Sequence, residues 1–156
     1  MPQFSNILCP VDFDQNSLAA VRVAAELARE YKATVYLLHV VHLHLAPETA
    51  RSSGEAETAA KTKLELIGHQ KLKVGTPYEI LVMPGDPAVE VLQMAVKLGI
   101  DLIVMATHGR KGLRRLVLGS VAERVVREAP CPVLTVKPKA ARTGASRTRP
   151  RPTGTT

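Results

Sequence analysis

The chain has no tryptophan, two phenylalanines and three tyrosines, so aromatic residues make up only 3% of it. With hydrophobic residues at 46%, the core has to be aliphatic, built from Val, Leu, Ile and Ala, a composition that favours buried parallel strands covered by helices. Cysteine is equally scarce. Cys9 and Cys131 stand in separate strand-like segments, each followed by a proline, which argues against a disulfide scaffold and for reduced, buried thiols. No apolar run approaches the roughly 18 residues of a membrane span, and the start Met1-Pro2-Gln3-Phe4-Ser5-Asn6 lacks the basic region and apolar core of a signal peptide. A soluble, cytoplasmic protein with no membrane partner is expected.

Acidic residues are absent after Glu128, and this absence locates the net charge of +7. Lys137, Lys139, Arg142, Arg147, Arg149 and Arg151 carry six of those charges, which leaves the rest of the chain nearly neutral. From Pro138 onward Pro, Thr, Gly, Ala and Arg follow one another without an apolar period, so residues 138–156 are expected to form a disordered basic tail behind one domain, 1–137. A chain of this length buries about two-thirds of the surface that its unfolded form exposes, enough for one core. The tail offers weak, salt-sensitive contact to nucleic acid but no interleaved aromatics for stacking, so nucleic acid is not an expected partner.

Within the domain, apolar runs alternate with helical patterns. Ile7-Leu8-Cys9-Pro10-Val11 reads as a strand, and Asp14-Gln15-Asn16-Ser17 offers caps for a helix in which Leu18, Val21, Ala24, Ala25 and Ala28 share a face. Thr34 to Val41 reads as a second strand, followed by a helix with Ala56, Ala59, Ala60, Leu64 and Ile67 on one face. Tyr78 to Met83 is a third strand. Pro84-Gly85-Asp86-Pro87 then supplies a turn, an Asp cap and a proline at the first helical position, and Gly99 suits the stop of that helix after Leu98. A fourth strand from Ile100, a helix from Ser120 and a fifth strand, Pro132 to Val136, complete the order βαβαβαβαβ. Such alternation predicts an α/β fold, one open parallel sheet with right-handed crossovers and helices on both faces.

The segment between the fourth strand and the last helix is the richest in chemistry. Gly109, Gly112 and Gly119 permit close backbone approach to an anion, and the helix beginning at Ser120 adds its dipole. Ser120 with Glu123 also fits a capping box, in which the serine only satisfies the helix end. Neither G-x-x-x-x-G-K-[ST] nor G-x-G-x-x-G occurs. Arg110, Lys111, Arg114 and Arg115 crowd the loop, either to neutralise phosphate charge or as a solvated surface. His39, His42 and His44 lack the supporting ligands of a metal site, and His108 has no nucleophile spacing around it.

Gly109, the nine residues Arg110 to Leu118 and then Gly119-Ser120 match the second half of a G-x-x-G, nine residues, G-[ST] pattern. Together with Ile7-Leu8-Cys9-Pro10-Val11-Asp12 and Ala129-Pro130-Cys131-Pro132-Val133-Leu134, it resembles the nucleotide-binding branch of the universal stress protein family, over essentially the whole domain. Ala106 departs from the pattern, standing where the first motif glycine belongs. The resemblance implies a Rossmann-like sheet, the adenine nucleotide alpha hydrolase-like fold, with strand order 3-2-1-4-5. It implies an ATP site made by Pro10, Val11, Asp12, Val41, Met105, Ala106, Gly109, Gly119, Ser120 and Val121. Asp12 would stand near the ribose or a phosphate-bound Mg²⁺, and Val41 beside adenine. It further implies a homodimer joined through the fifth strand, and a stress-response or signalling role for nucleotide occupancy toward an unidentified protein partner. Asp12 has a competing reading as a turn carboxylate, and Val41 and Met105 as core residues. Two other functions stay open at this point: a nucleotide-independent dimeric interaction protein, and a slow ATP hydrolase, for which no general base is evident.

Overall fold

The computed structural model describes residues 3–42, 50–108 and 118–137. The elements follow the expected order: β1 (Asn6–Pro10), α1 (Gln15–Tyr31), β2 (Thr34–Val41), α2 (Ala50–Lys71), β3 (Tyr78–Pro84), α3 (Pro87–Lys97), β4 (Leu102–Ala106), α4 (Ser120–Glu128) and β5 (Val133–Val136). The five strands pair in parallel in the order β3-β2-β1-β4-β5, so β1 and β4 meet at the centre and β3 and β5 form the edges. The tail expected over 138–156 lies outside the described residues.

Alternation along the strands creates two cores. Ile7, Cys9, Val35, Leu37, Leu102 and Val104 face Val21, Ala24 and Ala28 of α1 and Leu64 of α2. Leu8, Leu38, Val40, Ile103 and Met105 face Val91, Met94 and Ala95 of α3 and Ala122 and Val125 of α4. Each fully buried Leu, Ile or Val contributes about 1.5–3 kcal/mol relative to exposure, and both faces of the sheet use them. The near-absence of aromatics thus leaves the buried positions of both helix–sheet layers to aliphatic side chains.

Local chemistry sets the helix ends. Asp14 caps α1 by accepting the Ser17 amide at 2.8 Å, and Asp86 caps α3 by accepting the Val89 amide at 3.0 Å, with Pro87 in the first turn. Gly99, at φ +57°, closes α3: its amide donates to Val96 O, and the Ile100 amide donates to Ala95 O at 2.9 Å. The Asp101 carboxylate then accepts the Ser5 and Asn6 amides at 2.7 and 2.8 Å, which locks the start of β4 against β1.

Two expectations about helices need correction. On α2, Ala60 and Leu64 are buried and Ile67 half-buried, but Ala56 and Ala59 are exposed. A 22-residue helix is about 33 Å long at about 1.5 Å per residue, whereas the seven residues of β3 span only about 23 Å, so the helix overhangs its sheet. On α4, Gly119 rather than Ser120 is the N-cap, no side chain caps the end, and the Glu123 amide donates to Gly119 O at 2.8 Å. Ser120 is already inside the first turn and exposed, so its hydroxyl cannot take the place that a capping box gives the N-cap residue.

Candidate anion site at the carboxyl edge of the sheet

The central strands deliver their carboxyl ends side by side. Leu8 of β1 pairs with Tyr36 of β2 on one side and with Ile103 of β4 on the other. Continuing that register past the strand ends, Val11 stands level with His39 and Ala106, and Asp12 with Val40 and Thr107. The end of β1 and the end of β4 therefore converge by register.

Pro10 closes β1, half-buried and opposite Leu38. Val11 is buried; its amide donates to Leu38 O at 2.8 Å, and its carbonyl accepts from His39 Nδ1 at 2.7 Å. That partner fixes the proton of this imidazole on Nδ1. Asp12 is half-buried, its amide donating to Ser17 Oγ at 3.3 Å and its Oδ1 accepting the Asp14 amide at 3.1 Å. The turn-carboxylate reading of Asp12 thus describes Oδ1; among the described residues Oδ2 has no hydrogen-bond partner.

Phe13, which the sequence pattern does not single out, makes this turn possible. It lies in the left-handed region at φ +66°, a conformation costly for a bulky side chain. The ring packs on His39 with centroids 4.4 Å apart at a 33° tilt, and Lys63 Nζ lies over it at 5.2 Å. No residue type signals such a strained turn; only the packing partners supplied by β2 and α2 stabilise it. Beyond it, Asp14 has its pKa raised above 3.8, first by burial and then by the neighbouring Asp12 carboxylate, with the Ser17 amide opposing the shift.

On the β4 side, Met105 is buried and its side chain belongs to the α3–α4 core, as its core reading holds, while Ala106 is half-buried opposite Val136. Thr107 is 2% exposed and acts as a clasp: its amide donates to Val136 O at 3.1 Å and its carbonyl accepts the Gly119 amide at 2.8 Å. Thr107 Oγ1 shares a 2.9 Å hydrogen bond with His108 Nδ1. The two ends of the glycine-containing loop are therefore tied together at its base. Gly109 and the basic residues Arg110, Lys111, Arg114 and Arg115 lie outside the described residues. Val121 is half-buried against the α3–α4 core.

An α-helix leaves its first amides without intrahelical partners, and Gly119 provides no side chain to satisfy them. The α4 terminus thus presents backbone N–H groups and the positive end of its dipole beside the clasp, an arrangement that suits an anion. Val41, half-buried at the end of β2, accepts the Gly85 amide on its carbonyl at 3.0 Å, which sets that end of the edge. Among the described residues no cluster of three His, Cys, Asp or Glu side chains is placed to hold a metal ion. One free carboxylate oxygen on Asp12 does fit Mg²⁺ in the manner of a cation carried on phosphates, which takes one or two carboxylates and otherwise water and phosphate oxygens. No described helix is long and apolar enough to cross a membrane.

Similarity to known proteins covers this architecture from end to end. A model of the Universal stress protein family matches residues 3–137. Universal stress protein MJ0531 of Methanocaldococcus jannaschii is 36% identical over 146 residues, covering 86% of this chain and 82% of the relative. The solved structure of MJ0577 superposes with a TM-score of 0.79 at 29% identity, over 90% of this chain and 100% of that one. The universal stress protein of Archaeoglobus fulgidus solved in complex with dAMP shares the fold at a TM-score of 0.62 and 20% identity, covering 86% of this chain and 98% of that one.

Proposed function

The chain belongs to the universal stress protein family, and we propose that within it this protein is a cytoplasmic ATP-binding module whose nucleotide occupancy controls the surface offered to a signalling partner. The observation that carries this reading is the uncapped α4 terminus, clasped through Gly119 to Thr107 and set beside the Asp12 end of β1. In this reading the α4 amides and the loop from Gly109 hold the phosphates. Asp12 turns its free oxygen to the ribose or to a Mg²⁺ ion carried on the phosphates, and Val41, with Pro10 and Val11, shapes the wall for adenine. The backbone at Met105 and Ala106 forms the floor, with Ser120 and Val121 at the helix end. The dAMP complex of the Archaeoglobus fulgidus protein is a precedent for an adenine nucleotide on this fold.

A second reading, a nucleotide-independent interaction protein, draws on Ala106, whose methyl replaces a motif glycine. Strand alternation directs that methyl to the α1 side of the sheet, away from the Met105 face. Both readings use β5 as a dimer surface: it is a sheet edge and exposes Leu134 by 39%.

Calorimetry with Mg-ATP on nucleotide-free protein separates them. Saturable binding is expected, with at least tenfold weakening in Asp12→Ala and in Gly119→Val. A folded wild-type protein with no heat of binding and no nucleotide released on denaturation refutes the ATP reading.

A further inference from the structure

The helices α1 and α2 run against the direction of the strands they cover, so their carboxyl ends gather at the edge of the sheet opposite Asp12 and Gly119. Reaching there from the middle of α1, a cavity of about 170 Å³, half open to solvent, is lined by Arg22, Ala25, Glu26, Arg29, Lys71 and Lys73. Arg22, Glu26 and Arg29 follow one another at helical spacing on the exposed side of α1; Lys71 is the last residue of α2, and Lys73 comes two residues later. The lining therefore holds four cations and one carboxylate.

On α4 the arginines are neutralised: Arg124 pairs with Asp86 and Glu128, and Arg127 with Glu123 and Glu128. Among the described residues, none of the four cations at the cavity makes an ion pair or side-chain hydrogen bond, Glu26 included as a partner. Complementing a helix dipole accounts for Arg29 and Lys71, which lie in last turns. It does not account for Arg22 in the middle of α1 or for Lys73 beyond α2. Clustered like charges repel, and a bound polyanion relieves that repulsion. Guanidinium forks match phosphate oxygens pairwise, and the lysines add point charges.

We propose that this cavity is a second anion site, separate from the nucleotide cleft, whose ligand is an oligophosphate. Inorganic tripolyphosphate titrated into the full chain and followed by amide NMR tests it. Saturable shifts are expected at Ala25, Glu26 and Lys73. The double variant Arg22→Gln/Arg29→Gln weakens binding at least tenfold, whereas Arg149→Gln/Arg151→Gln, which removes the same charge from the tail, changes it less than threefold. Glu26→Gln tightens binding severalfold. Shifts confined to residues 105–121 or to the tail, or equal losses in the two charge-matched variants, overturn the proposal. Equal affinity for a hexaglutamate peptide also overturns it, in favour of an acidic protein partner.

Discussion

Asp14 does two opposing things, and substituting it separates them. Its carboxylate caps α1 through the Ser17 amide at 2.8 Å, yet burial and the adjacent Asp12 carboxylate raise its pKa above 3.8. The folded protein therefore holds this proton more tightly than the unfolded chain does. By linkage, stability falls as pH rises from the ordinary value through the raised one, and the penalty persists at neutral pH. The direction of the shift shows that burial and repulsion outweigh the favourable placement of a negative charge at a helix N-terminus. An asparagine at this position would retain a cap acceptor without the charge; an alanine would retain neither. Urea unfolding at pH 7 should thus place Asp14→Asn at or above wild type, and Asp14→Ala about 1 kcal/mol below Asp14→Asn. For a domain of this size, that gap corresponds to about 2–4 °C in melting temperature. The advantage of Asp14→Asn over wild type should vanish below the ordinary carboxylate range, while the gap between the two variants should not depend on pH. Because the Asp14 backbone amide, which both variants keep, is what donates to Asp12 Oδ1, both variants should bind nucleotide within threefold of wild type. Asp14→Asn as destabilised at pH 7 as Asp14→Ala refutes the reasoning, since the charge itself would then be stabilising.

Two glycines of α2 should respond oppositely to alanine. A Cβ at Gly54 meets nothing within 4 Å, so Gly54→Ala should stabilise by about 0.5–1 kcal/mol in urea unfolding. At Gly68 it would stand 2.7 Å from Tyr78 Cζ, and overpacking of about 1–3 kcal/mol should override the helix-propensity gain. The cysteines should differ in reactivity: Cys9 is fully buried with its thiol pushed up to about 12, whereas Cys131 is half-buried with a smaller rise led by burial. Ellman's reagent at pH 8 should modify one thiol in the native protein, Cys131, and the second only on unfolding. Native modification of Cys9 at the rate of Cys131 would contradict the burial argument.

The alternation of strands and helices, their number and most of their ends are legible from local chemistry. Asp86-Pro87 starts α3 and Gly99 stops it because cap acceptors, a fixed proline φ and a left-handed glycine act over a few residues, whatever the rest of the chain does. Ser120 misleads because a serine three residues before a glutamate has the same local pattern one residue inside a helix as at its cap. Ala56 and Ala59 mislead because periodicity marks a face but not how far the sheet beneath it extends.

The candidate site divides in the same way. Asp12 and Gly119 are legible as residue types at suggestive positions, but what relates them is sheet register, a property of strands far apart in the chain. The clasp from Thr107 to Val136 and Gly119, the left-handed Phe13 packed on His39 and Lys63, and the unpaired cations between α1 and α2 carry no sequence signal. The sequence by itself determined an aliphatic α/β domain and the order of its elements, since period, caps and composition are short-range. Tertiary structure alone decided which backbone groups remain unpaired and which charges share a cavity, since both depend on segments brought together only when the chain packs.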